Sequence, residues 1–253
     1  MDTTTIRSEP VALVTGGSRG LGRALVAGLL ADGWRVVTDG RDAHRLAATV
    51  AELVDDRPDT RERLIALTGD VGAAEHRQDL VAAATTAGGL DLLVLNAGDL
   101  GPSPLPRLAD LTSADLAAVL AANVVAPHAL VHDALPLLRS TGGTVVAITS
   151  DAAAEAYEGW GAYGASKAAL EHLARVLAEE EPTLAVHRID PGDLRTDMHQ
   201  AAFPGEDITD RPLPESSVPG ILAIVRRRPP SGGRWSTTAE TADTAAVPEG
   251  AIA

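Results

Sequence analysis

From residue 11 to residue 189, short apolar runs rich in β-branched residues alternate with longer stretches rich in alanine and leucine. That alternation limits the possible folds more than any other feature of the chain. A strand covered on both faces reads as an almost unbroken apolar run, whereas a half-exposed strand alternates apolar with polar. Residues 11–15, 35–38, 64–67, 92–95, 144–149 and 184–189 read as strands of the first kind. The spacing predicts helices over 21–32, 43–53, 74–87, 113–138 and 162–180.

Strands and helices in alternation give an α/β fold of three layers, a parallel sheet with helices on both faces. With no internal repeat and no linker in its 253 residues, a single domain over 10–236 accounts for the chain. The polar, proline-containing segment 193–214 reads as a loop or lid. A short helix over 215–227 and a last strand over 231–235 follow. Residues 1–9 are expected to be flexible and the tail 237–253 disordered, since neither shows periodicity.

Composition then removes whole classes of function. Hydrophobic residues make up 45% of the chain but aromatic residues only 2%, so the core must be built from Ala, Val, Leu and Ile. The net charge is −14, and a phosphate backbone or an anionic membrane needs a basic face instead. Without cysteine there is no disulfide, thiol catalyst or thiolate metal site. The first ten residues have neither a basic nor an apolar segment, and no apolar run of membrane-spanning length stands out. The expected setting is the cytoplasm.

The first strand runs directly into Thr15-Gly16-Gly17-Ser18-Arg19-Gly20-Leu21-Gly22, which opens a helix. Glycines there let the backbone approach a pyrophosphate, and the helix N-terminus supplies N–H groups and a positive dipole. An ordinary strand-to-helix turn would look similar, but its place on the first strand and helix of an alternating chain favours nucleotide binding. A second signal is the single lysine of the chain, Lys167, four residues after Tyr163. On a helix these two share a face. They could be ordinary surface residues; as a pair, the cation would favour the phenolate and lower the phenol pKa from about 10.

Thr15 to Gly22, Asn96-Ala97-Gly98, Ser150, Tyr163 with Lys167, and Pro191-Gly192 occur in one order along the chain. Together they resemble the short-chain dehydrogenase/reductase family, in its short single-domain branch, over about residues 10–236. The resemblance implies a Rossmann-like doubly wound parallel sheet and an NADP(H)- or NAD(H)-dependent oxidoreductase. It implies that Tyr163 is the general acid or base, that Ser150 polarises the carbonyl, and that Lys167 holds the cofactor ribose and lowers the tyrosine pKa. Asn123 matches the asparagine that kinks its helix and anchors a water-linked proton relay. By the same resemblance Gly16, Ser18, Arg19, Gly20, Leu21 and Gly22 meet the cofactor phosphates. Asp70 and Val71 meet the adenine, and Asn96, Ala97 and Gly98 line its ribose side and brace the sheet. Pro191, Gly192, Leu194 and Thr196 meet the nicotinamide. Leu95 stands where the family often has a further asparagine.

The position where NAD-preferring members place an acid is Gly40, and Arg41 follows it. Arg41 and Arg19 suit a 2′-phosphate, so NADPH is expected over NADH. Asp39 would reverse this only if the strand register brought it to the ribose. Substrate is expected against 99–102, 151–160 and the lid, where Tyr157, Trp160, Met198 and Phe203 collect. Asp99, Asp151 and Glu155 there would disfavour a keto acid. Arg226-Arg227-Arg228 reads as a charged helix end, and secondarily as a dock for an acidic carrier protein. His128, His132, His172, His187 and His199 show no metal spacing, and no metal is expected.

The leading expectation is an NADPH-dependent carbonyl reductase or alcohol dehydrogenase acting on a small molecule. A 3-oxoacyl-carrier-protein reductase and a non-catalytic nucleotide-binding regulator are the alternatives. A homo-dimer or homo-tetramer is expected through the helices of Asn123 and Tyr163, along the face Ala165, Ala168, Ala169 and His172.

Overall fold

In a computed structural model, residues 9–237 are described. The elements are β1 (Val11–Val14), α1 (Gly20–Ala31), β2 (Arg35–Gly40), α2 (Ala43–Asp56), β3 (Leu64–Thr68), α3 (Ala74–Ala87), β4 (Leu92–Leu95) and α4 (Ser113–Leu120). They continue as α5 (Ala126–Thr141), β5 (Thr144–Ile148), α6 (Gly161–Glu180), β6 (Ala185–Asp190), α7 (Asp197–Ala202), α8 (Val218–Arg227) and β7 (Arg234–Ser236). The seven strands form one sheet in the order β3-β2-β1-β4-β5-β6-β7, and each neighbouring pair is parallel. The expected α/β sheet is therefore present.

Alternate strand residues feed two separate cores. Ala12 and Val14 face Leu25 and Leu29 of α1, Leu53 of α2 and Ile221 of α8. Leu13 and Leu93 face Leu80 of α3, Leu130 and Leu138 of α5 and Leu170 of α6. Each fully buried leucine contributes about 1.5–3 kcal/mol, so the aliphatic composition suffices without aromatics. Order reverses between β1 and β4, where the chain turns from building one half of the sheet to the other. A crevice opens beyond the strand ends at such a point.

Three expectations change. The segment 193–214 is not irregular throughout, because α7 forms within it; Thr196 Oγ1 caps it by accepting from the His199 N–H at 3.1 Å. The predicted helix 113–138 is divided by a π-helical turn, Ala121–Val125. The span Ser113–Thr141 is also long and apolar enough to cross a membrane by length and composition, which the sequence reading did not register. Here Val119, Asn123, Leu130 and Leu138 of that span are buried inside the domain. At the ends, Glu9 is ion-paired to Arg35 at 3.2 Å, and Thr237 donates its N–H to the Asp190 carbonyl at 3.0 Å. The rest of the expected flexible start and disordered tail lies outside the described residues.

His187 on β6 is fully buried, and neither ring nitrogen has a hydrogen-bond partner. Its ring meets Trp235 edge-on at 6.2 Å. Burial, then the charge of Arg228, pushes its pKa down to about 4. The unfolded chain binds that proton near pH 6.5, so between pH 6.5 and 4 the unfolded state takes up more protons than the folded one. Stability therefore falls as pH drops through this window and levels off below it. His187→Leu is expected to remove of order 1–3 kcal/mol of this acid sensitivity. Thermal melts of both proteins at pH 7 and pH 4.5 check it, and parallel losses would contradict it.

Candidate active site

A cleft of about 460 Å³ runs along the carboxyl ends of the strands, at the reversal between β1 and β4. Every residue singled out in the sequence for catalysis or cofactor contact lines it, with one exception, Asn123. The glycine loop forms one side. Gly16 and Gly20 adopt φ of +73° and +53°, where a side chain would be strained. A Cβ at Gly22 would stand 2.2 Å from the Gly16 carbonyl oxygen and 2.5 Å from Asn96 Nδ2. Glycine there lets α1 start directly against the loop. Arg19, the N-cap of α1, makes no side-chain capping bond, and the first turn contains no acid. Its first N–H groups thus remain available to an anion.

Asn96 ties the loop to β4. Its Nδ2 donates to the Thr15 carbonyl at 2.8 Å, while Thr15 Oγ1 accepts from the N–H of Asn96 and of Ala97, each at 3.0 Å. Asp39 is committed beneath the loop. Its Oδ1 accepts from the Gly16 N–H at 2.6 Å, and its Oδ2 lies 3.1 Å from His76 Nε2. Burial raises the Asp39 pKa in spite of both partners. At Gly40 itself a Cβ would meet Ser18 at 2.9 Å. Neither position offers a ribose a free carboxylate.

On the opposite wall, α6 presents Tyr163 and Lys167. Tyr163 is nine-tenths buried, and its hydroxyl makes no hydrogen bond in the structure. Lys167 Nζ lies 5.5 Å from the tyrosine ring centre and donates to the Ile148 carbonyl at 2.9 Å. Burial pushes the ammonium pKa down to about 8. Burial, followed by the charges of Asp190 and Asp151, pushes the phenol well above its ordinary value. This reverses the expectation that Lys167 lowers it. The ammonium faces the ring and a carbonyl rather than the hydroxyl, so desolvation of the phenolate prevails.

Ser150 ends β5. Its hydroxyl donates to Asp151 Oδ1 at 2.9 Å and its Oγ accepts from the Ala152 N–H at 3.2 Å, so it also caps the turn that follows. Asn123 sits behind the wall, in the π-helical turn. Its Oδ1 accepts from the Asp99 N–H at 2.7 Å; its Nδ2 donates to the Asp99 carbonyl at 2.8 Å and to Ser166 Oγ at 2.9 Å. The widened turn brings this amide to the strand-end loop, where it satisfies both backbone groups of Asp99. A Cβ at Gly98 would stand 3.2 Å from Asn123 Oδ1 and 3.7 Å from Lys167 Nζ, so the asparagine and the lysine flank one glycine.

Three arginines gather at the far end of the cleft, among the carboxylates of Asp42 and Asp197. Arg19, Arg41 and Arg45 line it. Asp197, at the start of α7, places Oδ2 3.1 Å from Arg19 and 2.9 Å from Arg45. These guanidinium groups, Arg45 first, hold the Asp197 carboxyl below its usual range. Arg45 was not apparent in the sequence, because Asp42 caps α2 and the first helical turn then carries Arg45 back to the glycine loop.

Leu100, Trp160 and Met198 line the other end. Trp160 meets Tyr163 edge-on at 5.6 Å and Phe203 at 6.0 Å. Phe203, Tyr157 and Glu155 are outside the lining, contrary to expectation; Tyr157 is half-exposed and bonded to Asp151 at 2.9 Å. Arg226 pairs with Asp32, and Arg228 donates to the Gly142 carbonyl, so two of the three consecutive arginines are engaged within the domain. Among the described residues, no three acidic or histidine side chains converge as metal ligands.

The chain matches the model of the short chain dehydrogenase family over residues 10–207. It is 35% identical over 189 residues to an uncharacterized oxidoreductase of Saccharomyces cerevisiae, covering 74% of this chain and 72% of the relative. It is 34% identical over 203 residues to the sepiapterin reductase of Rattus norvegicus, covering 76% and 77%. A short chain dehydrogenase from Shigella flexneri, solved with NADP, superposes with a TM-score of 0.83 at 28% identity, covering 90% of this chain and 96% of that one. One from Escherichia coli, solved with NADPH, gives the same score, identity and coverage. Sheet order, glycine loop and sequence agree, and the protein belongs to the short-chain dehydrogenase/reductase family of oxidoreductases.

Proposed function

We propose that the protein reduces the carbonyl group of a small molecule with NADPH, using Tyr163 as general acid. The observation behind this reading is Tyr163, a residue nine-tenths buried whose hydroxyl has no protein partner on the wall of a cleft that begins at the glycine loop. The ring is packed away while the hydroxyl is left open to the cleft, where a ligand oxygen can take its hydrogen bond. Because burial raises its pKa, Tyr163 keeps its proton at neutral pH, the form that reduction requires.

When bound, the nicotinamide cofactor supplies a hydride to the carbonyl carbon. The π electron pair moves to oxygen, and Tyr163 O–H gives that oxygen its proton. The Ser150 hydroxyl turns from Asp151 to donate to the same oxygen. Lys167 holds the cofactor ribose and the strand end. Trp160, Leu100 and Met198 exclude water from the reacting end. Cofactor preference follows from the arginine cluster, where a side-chain carboxylate already accepts from Arg19 and Arg45, with Arg41 beside them. The 2′-phosphate of NADPH suits that group, and NADH has a hydroxyl in its place.

Following NADPH absorbance with ketones, aldehydes, quinones and acyl thioesters tests the reading. Consumption that depends on the carbonyl compound supports it. No consumption with any of them would favour a non-catalytic nucleotide-binding protein.

Self-association is part of the same proposal, with the cytoplasm as its setting. Val125 on the π-helical turn and Leu173 and Val176 on α6 are exposed apolar side chains beside the exposed Ala165, Ala168 and His172. Light scattering behind gel filtration is expected to give a dimer or tetramer mass, and a monomer would contradict this.

A further inference from the structure

Three consecutive residues at the end of β5 are each gripped by a side chain from elsewhere. Lys167 Nζ holds the Ile148 carbonyl at 2.9 Å. Glu171 Oε1 accepts from the Thr149 hydroxyl at 2.7 Å. Arg234 Nη2 donates to the Ser150 carbonyl at 3.0 Å. Tyr163, Lys167 and Glu171 lie four residues apart on α6, so one helical face serves all three.

The last two grips belong to one ion network. Arg234 Nε donates to Glu171 Oε1 at 2.9 Å, and Arg188 Nη1 donates to Glu171 Oε2 at 3.0 Å. Arg234 Nη2 also reaches Asp190 Oδ2 at 3.5 Å. Asp190 Oδ1 in turn accepts from the Gly192 N–H at 2.9 Å, in the turn expected to meet nicotinamide. Glu171 and Arg188 are nearly buried, and Arg234 is about one-fifth exposed. The planar guanidinium fork of Arg234 thus spans a carboxylate on α6, the backbone of Ser150 and the Asp190 carboxylate, which in turn holds the Gly192 N–H. A lysine ammonium lacks this planar fork and the separation between its nitrogens. Arg234 also lies beyond residues 10–207, where the family model matches.

We infer that Arg234, backed by Glu171, is a positioning residue that sets the Ser150 hydroxyl against the substrate oxygen. The inference rests on the proposed role of Ser150. It needs no contact between Arg234 and substrate. A side chain that grips the carbonyl of Ser150 fixes the direction in which Oγ leaves the backbone, and misplacement by even an ångström is costly in an active site.

Arg234→Met keeps the length of the stem and removes every donor, while Arg234→Lys keeps the charge. Turnover at saturating substrate, per folded site, is expected to fall about tenfold in Arg234→Met and less in Arg234→Lys. NADPH binding, read by fluorescence, should stay within about twofold. The isotope effect with deuterated NADPH should rise, because hydride transfer becomes slower relative to the other steps. A lower melting temperature with unchanged turnover and isotope effect would reduce Arg234 to a scaffold residue and overturn the inference. If Arg234→Met does not fold, Arg234→Lys and Arg234→Gln carry the same comparison. If the unmodified protein reduces no carbonyl compound, the reading of the site fails, and hydrogen exchange over residues 149–152 decides the positioning claim. Faster exchange there in Arg234→Met, with α6 unchanged, would uphold it; equal exchange would overturn it.

Discussion

Tyr163→Phe is expected to lower kcat/KM for carbonyl reduction by about a hundred- to ten-thousand-fold, the usual contribution of a positioned general acid. Only the hydroxyl is lost. The ring keeps its contact with Trp160 and its place in the apolar cluster with Leu100, Ala152 and Ala202. Because the hydroxyl has no partner in the protein, its removal leaves none unsatisfied, and the melting temperature should hold or rise slightly. Steady-state kinetics beside a thermal melt separates the two effects. A variant within tenfold of the parent would mean that another group or water supplies the proton.

Arg41→Asp and Arg45→Ala are each expected to weaken NADPH binding while leaving NADH nearly unchanged. A hydrogen bond to a charged group contributes about 1.5–3 kcal/mol, so Kd should rise about ten- to a hundredfold for each loss. Arg41→Asp should show the larger change, since it also adds a repelling charge. Equal loss of both cofactors would point to a damaged loop rather than to recognition of the 2′-phosphate. Arg45 tests the structural reading in particular. It was not apparent from the strand end, yet its guanidinium already holds an oxyanion, that of Asp197, at 2.9 Å.

These two expectations mark where sequence reading succeeded and where it stopped. Strand and helix placement were legible because both faces of the sheet are covered, which writes each strand as an apolar run. The residues lining the cleft were legible because the motifs lie at strand ends, next to one another in space through the topology. Helix α7 was hidden because its six residues are too few for a period and its neighbours include prolines. The π-helical turn was hidden from the apolar pattern, which runs through it unbroken, and only the resemblance carried by Asn123 pointed to a kink there. Glu171 and Arg234 were missed because their partnership crosses 63 residues and leaves no local pattern. The direction of the tyrosine pKa was misread for a similar reason. Four-residue spacing places Lys167 near Tyr163, but burial and the charges of Asp190 and Asp151 come from other elements.

The central claim is that this cleft passes a hydride to a carbonyl carbon. The most direct measurement supplies NADPH deuterated at the transferred position with a reducible ketone and weighs the product. One deuterium on the carbinol carbon, from only one of the two cofactor faces, is the result expected. Cofactor oxidised without deuterium in the product, or product formed without cofactor, would contradict the account.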